Sequence, residues 1–174
     1  GRRSLRQMYR KTSAIIAHSQ KAADKVVGTF DVPAELVSVI PHGELAAGDR
    51  RREDREHLRV RLGWDRGQQC LMFGSPAPYK RIEEVAAWWG EARPEAKLWI
   101  IGKSWDSAYE SHLQSRFSGI ENVAFVFERL DDTALVIYIV AADAVILNHR
   151  SRSLTSGAAC RVRSLDVPLL LPNS

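Results

Sequence analysis

The sequence predicts an α/β fold built on a parallel, doubly wound sheet. Three observations carry this expectation. Short apolar runs occur without polar alternation, as in strands buried on both faces. Helix-like segments separate the runs. From Cys70 onward the runs recur about every 20 to 30 residues, the length of a right-handed βαβ unit.

The predicted strands lie at 14–17, 37–40, 70–73, 98–101, 123–127, 144–147 and 167–171. A helix is expected at 19–27, after the first strand. Another is expected at 53–62, carrying Leu58, Val60 and Leu62 and ending at Gly63. The segment 81–89 puts Ile82, Val85 and Trp89 on one face and is expected to stop at Gly90. A helix at 107–117 follows the fourth strand. The stretch 131–142 holds the β-branched run Leu135 to Val140, which argues for a strand. Asp131, Asp132 and Thr133 supply N-caps, and the next strand begins too soon after it, so a helix is predicted. The last helix should start near Thr155, Ser156 and Gly157 and run to Ser164. The small and polar stretch 41–49 is expected to link two structural halves.

The 174 residues are 45% hydrophobic and 26% charged, which excludes low complexity and wholesale disorder. That length suits one domain with a sizeable core, or one domain with part of another. No apolar run approaches the roughly 18 residues of a membrane span, and no secretory signal is visible. Both ends are expected to continue into something larger. Cys70 and Cys160 fit no metal spacing and no disulfide framework, so buried free thiols are expected. The net charge of +4 is carried mostly by arginine. One dense patch is Arg2, Arg3, Arg6, Arg10 and Lys11. A second is Arg50, Arg51, Arg52, Arg55, Arg59 and Arg61, interleaved with acids as on a solvated helix with i,i+4 pairs. A basic face toward anionic headgroups or phosphates is the other reading of these patches. A nucleic-acid module would show steep salt dependence, but the interleaved acids and the lack of a binding motif argue against it.

In open α/β sheets, ligands bind outside the carboxyl ends of the strands. Three strand-to-helix turns stand out on that ground. In the first, Gly74 turns the chain sharply after Phe73, Pro76 and Pro78 stiffen the loop, and Lys80 and Arg81 open a helix. Cations there oppose the helix dipole, which an anion sharing the site would justify. A surface lysine without a role is the competing reading. In the second, Thr155, Ser156 and Gly157 open a helix whose free N–H groups suit a pyrophosphate, or serve as an ordinary N-cap. In the third, His42 follows the second strand between Pro41 and Gly43, facing a ligand or hydrogen-bonded within its loop. The dinucleotide fingerprint, the P-loop and the nucleophile elbow are all absent. The tandem Trp88 and Trp89 is read as packing.

The order of these pieces resembles the C-terminal, donor-binding half of GT-B glycosyltransferases, near the glycogen-synthase-like and mannosyltransferase group. Four segments carry the resemblance. Residues 23–27 through 39–43 look like the family passage ending in VIPHG. Phe73-Gly74 through Pro78-Tyr79-Lys80 is similar to the family's glycine loop. Residues 122–132 with 141–145 look like the stretch ending in AADA-V. Leu154-Thr155-Ser156-Gly157 to Val167-Pro168 looks like the LTSG stretch.

The resemblance implies a Rossmann-like fold, with 1–43 as the end of an acceptor-side segment and crossover and 44–174 as the nucleotide-sugar-binding domain, incomplete at its C-terminus. It implies Gly74, Ser75 and Lys80 at the donor diphosphate, Arg129 and Leu130 beside the nucleobase, Ser156 and Gly157 at the phosphates, and His42 near the interdomain cleft. A lysine point charge would stabilise the departing nucleoside diphosphate. The implied substrates are a nucleoside-diphosphate sugar and a glycan or lipid-linked acceptor, at the cytoplasmic side and with peripheral contact to an anionic membrane. No cofactor or metal is expected, and no Asp-x-Asp triplet ends a strand. The site is expected to lie between two domains, so this chain alone should not turn over.

The departures are specific. Ser75 replaces the family's arginine, Arg81 its glycine, Asn148 its proline and Asp166 its glycine. Ser153 and Arg161 stand where two glutamates are usual, and an arginine cannot accept bonds from ribose hydroxyls. Two other readings therefore stay open at this point. One is a non-catalytic glycosyltransferase-like subunit used for partner binding, and the other is a sugar-nucleotide epimerase.

Overall fold

A computed structural model describes residues 2–43, 54–148 and 156–172. The first stretch holds α1 (Arg2–Tyr9), β1 (Ile15–Ala17), α2 (Gln20–Phe30) and β2 (Val37–Val39). The rest holds α3 (Arg55–Leu62), β3 (Gln68–Phe73), α4 (Ile82–Ala92), β4 (Ala96–Ile101) and α5 (Ser107–Phe117). It continues with β5 (Val123–Val126), α6 (Asp132–Ala141), β6 (Ala144–Ile146), α7 (Gly157–Ser164) and β7 (Leu169–Leu170).

Strands β1 and β2 pair in parallel as a separate small sheet. The other five form one parallel sheet in the order β5-β4-β3-β6-β7. Every predicted strand is present. The sheet is buried from both sides, which explains runs without alternation. Leu71 and Phe73 enter a core with Leu58 of α3, Ile139 of α6 and Val162 of α7. Cys70 and Met72 enter the opposite core with Ile82 and Trp89 of α4 and Leu113 of α5.

The chain runs outward through β3, β4 and β5, then returns to lay β6 against the other edge of β3. The switch point therefore lies between β3 and β6. The Gly74–Lys80 loop leaves the carboxyl end of β3, and α7 follows β6 at the same end of the sheet.

Local chemistry sets the helix limits. Ser19, Asp54, Asp106, Asp131 and Ser156 each cap a helix N-terminus through the side chain. Gly63 closes α3 in the left-handed region at φ 66°. The segment 131–142 is a helix as predicted, capped by Asp131 against its β-branched content.

Three expectations are corrected. Helix α4 does not stop at Gly90 but runs to Ala92, because Gly90 serves packing: a Cβ there would lie 2.8 Å from Ile120. Lys80 does not open α4; it ends a 3-10 turn over Pro78–Lys80, and Arg81 adopts φ 54° before the helix and pairs with Glu84. The second arginine patch is not all solvated. Arg59 is 5% exposed, donates from Nε to Ala141 O at 2.9 Å, and meets Asp143 Oδ2 at 2.6 Å. That pair ties α3 to the loop before β6. Helix α1 was not anticipated. Cys70 is buried and Cys160 half-buried, both as free thiols. Arg50, Arg51, Arg52, Ser153, Leu154, Thr155 and the stretch 44–49 lie outside the described residues.

Candidate functional site

The two turns flanking the switch point carry the chemistry. After β3, Gly74 takes φ +87°, a conformation that side chains rarely adopt. After β4, Gly102 takes φ +140°, and a Cβ there would lie 2.8 Å from the backbone carbonyl of Gly74. Two glycines thus let the β3 and β4 turns touch. Beneath them lies Lys80, which the loop folds back onto Gly74: a Cβ on Gly74 would sit 2.9 Å from Lys80 Nζ.

Lys80 is 8% exposed. Its ammonium donates to Phe73 O at 3.3 Å. No carboxylate of the described residues lies within ion-pair distance of it. Burial alone pushes its pKa down to about 8. A buried ammonium with one carbonyl for company is costly unless an anion joins it. Beside it, Ser75 Oγ is buried with no hydrogen-bond partner among the described residues. Such orphaned polar groups call for a ligand or water.

Across the switch point, Ser156 caps α7 by accepting from Ala159 N at 3.3 Å. The N–H groups of the first turn have no intrahelical acceptor, and that turn carries no acidic residue. The start of α7 is therefore electropositive. His42 reaches this point from the end of β2: a Cβ on Gly157 would lie 3.4 Å from His42 Nε2. The His42 ring packs on His18 at 4.9 Å between centroids, and His18 Nδ1 lies 3.0 Å from Ile40 O.

A cavity of about 420 Å³ opens beside the glycine turns. Its wall includes Gly74, Ser75, Gly102, Trp105, Arg129 and Leu130. The structure therefore brings Gly74, Ser75, Arg129 and Leu130 to one cavity, with Lys80 beneath Gly74. It brings His42 to Gly157 and Ser156 at the start of α7. The Arg161 guanidinium pairs with Asp132 at 2.8 Å. Sequence reasoning missed Gly102 and Trp105. The signal for Gly102 was present, since it follows its strand as Gly74 follows Phe73. A larger cavity of about 620 Å³ lies on the sheet face beside α4, between Trp88, Cys70 and Leu170. It runs along β6 and β7 as far as Asn148 and Pro172, and its mostly apolar wall does not suit a phosphate.

No protein-family model matches the chain, and no curated protein matches it in sequence. Solved structures do. HepE from Anabaena, in complex with UDP-glucose, matches with a TM-score of 0.81 at 18% identity over 98% of this chain and 48% of that one. Sucrose-phosphate synthase from Thermosynechococcus elongatus matches with a TM-score of 0.77 at 16% identity, over 98% of this chain and 43% of that one. The C-terminal domain of LpcC, a group 1 glycosyl transferase protein from Francisella tularensis, matches with a TM-score of 0.58 at 14% identity. That match covers 68% of this chain and 65% of the other. The fold is thus the Rossmann-like half of a GT-B architecture. The chain spans about half the length of HepE.

Proposed function

We propose that this chain is the donor-nucleotide-binding half of a glycosyltransferase, which moves a sugar from a nucleoside-diphosphate sugar to a glycan or lipid-linked acceptor. One observation carries the reading: a buried ammonium, Lys80, with no acid beside it among the described residues, sits at the switch point of the sheet. Lys80 and the N–H groups that open α7 take the diphosphate, with Gly74 allowing close approach of the backbone. As the glycosidic bond to the donor breaks, negative charge grows on the departing diphosphate, and a fixed cation stabilises it most where water is excluded. HepE was solved with UDP-glucose and with UDP, so uridine donors are the first to try.

The small sheet of β1 and β2 belongs on this reading to the acceptor-side segment, with His42 at the cleft between the halves. Reaction at the cytoplasmic face of a membrane fits α1, which exposes Leu5 and Met8 beside Arg3, Arg6 and Arg10. A second reading, a partner-binding subunit without turnover, draws on Arg161, a donor-only guanidinium engaged with Asp132 that cannot accept from ribose hydroxyls. Transfer activity in the full-length protein would eliminate it.

The donor reading is tested by calorimetric titration of the chain with nucleoside diphosphates and their sugars, without metal. Saturable binding of one base, weakened at least tenfold in Lys80→Ala, is expected. Unchanged affinity in that variant refutes the assignment of Lys80.

A further inference from the structure

The loop after β4 is fastened on both sides of a bare indole. Trp105 is 89% exposed. Before it, Ser104 N donates to Glu110 Oε1 at 2.6 Å, and Lys103 Nζ donates to Glu110 Oε2 at 2.8 Å. Ser104 Oγ donates to Pro76 O at 2.9 Å, tying this loop to the one that carries Gly74. After it, Asp106 caps α5 by accepting from Ala108 N at 2.9 Å, and its own N–H donates to Ser104 Oγ at 3.1 Å. The loop is therefore held in place while the ring stands in water. The Arg129 guanidinium lies over that ring, 5.7 Å from its centroid.

Tryptophan is usually buried against other side chains, because its ring is the largest apolar surface a residue offers. A fixed and uncovered indole, with a planar cation already against it, is a platform for a flat ring. Both residues line the cavity that Gly74 and Ser75 also line. A single cavity thus joins a flat, stacking end to the turn above Lys80.

We propose that Trp105 is the stacking platform of the donor site, facing the Arg129 that the family resemblance sets beside the nucleobase, so that affinity for the nucleoside is set by contact with the indole. The inference rests on the donor reading and adds a specificity-determining residue to it. The planar base lies against Trp105, and the diphosphate extends toward Gly74 and Lys80.

The test compares uridine diphosphate, adenosine diphosphate and inorganic pyrophosphate on the wild-type chain and on Trp105→Ala, Trp105→Phe and Lys80→Ala. The expected result is a loss of roughly tenfold or more for the tighter nucleotide in Trp105→Ala, recovered largely in Trp105→Phe. Pyrophosphate affinity should respond to Lys80→Ala and not to Trp105→Ala. Nucleotide binding that depends on Lys80 but not on Trp105 overturns this inference and leaves the donor reading standing. Equal losses for nucleotide and pyrophosphate in Trp105→Ala also overturn it, since the indole would then be shaping the loop. Absence of binding by all three ligands overturns the donor reading and this inference with it.

Discussion

Replacing Lys80 by methionine should make the protein more stable while removing its anion site. The side chain is 8% exposed, and its ammonium has one carbonyl partner. Moving a lysine pKa from the ordinary 10.5 to about 8 corresponds to about 3 kcal/mol against the charged form. Methionine keeps the length and the apolar stem. It forfeits the bond to Phe73 O, worth about 1 kcal/mol. The net gain near neutral pH is then about 2 kcal/mol, or roughly 4–8 °C in Tm for a chain of this size. The pH dependence gives a second check. Below about 8 the ammonium is charged in both folded and unfolded chains, and the penalty is carried in full. Between about 8 and 10.5 the unfolded chain keeps a proton that the folded chain has released, so wild-type stability rises with pH through that window. The advantage of Lys80→Met should therefore shrink over the same window. Thermal unfolding of both proteins across pH 7 to 11 measures this. A Tm lowered by Lys80→Met at neutral pH would refute the reasoning, because it would mean that the ammonium is already compensated in the free protein.

Three further outcomes follow from the same geometry. Diphosphate affinity should fall above pH 8, approaching roughly tenfold per pH unit, with proton uptake on binding visible in calorimetry across buffers of different ionisation enthalpy. Gly102→Ala should cost about 2–4 kcal/mol in chemical denaturation, because φ +140° suits only glycine and the new Cβ would meet Gly74 at 2.8 Å. Asp143→Ala should cost about 3 kcal/mol, because it leaves the buried Arg59 guanidinium with only the longer 3.4 Å contact to Glu56 and strips the Gln69 N–H of its acceptor.

The large sheet was legible because burial on both faces removes alternation, so each strand announced itself as an unbroken apolar run. Helix α6 was legible from Asp131 and from the nearness of β6, despite the β-branched residues between them. Gly90 misled, since its backbone freedom is unused and its missing side chain makes room for Ile120. Arg59 misled because a run of alternating charges looks solvated until its distant partner, Asp143, is brought beside it by the β3–β6 pairing. Helix α1 was hidden by its composition, since Leu5 and Met8 are too few to mark an apolar stripe and remain exposed. At the site, glycine and lysine types pointed to the β3 turn, but the burial of Lys80 is a property of the folded loop. Trp105 carries no periodic signal; a lone tryptophan between Lys103 and Asp106 gains meaning only from its exposure and its place on the cavity wall.

Backbone resonances of the chain, followed by NMR during titration with the nucleoside diphosphate that binds most tightly, test the donor site most directly. The account predicts that the amides of Gly74 and Ser75 and those of Gly157 and Ala158 shift together with one saturation curve, because both turns flank the switch point between β3 and β6. Shifts confined to the Trp88 and Leu170 groove, or saturation without movement at either turn, would contradict it.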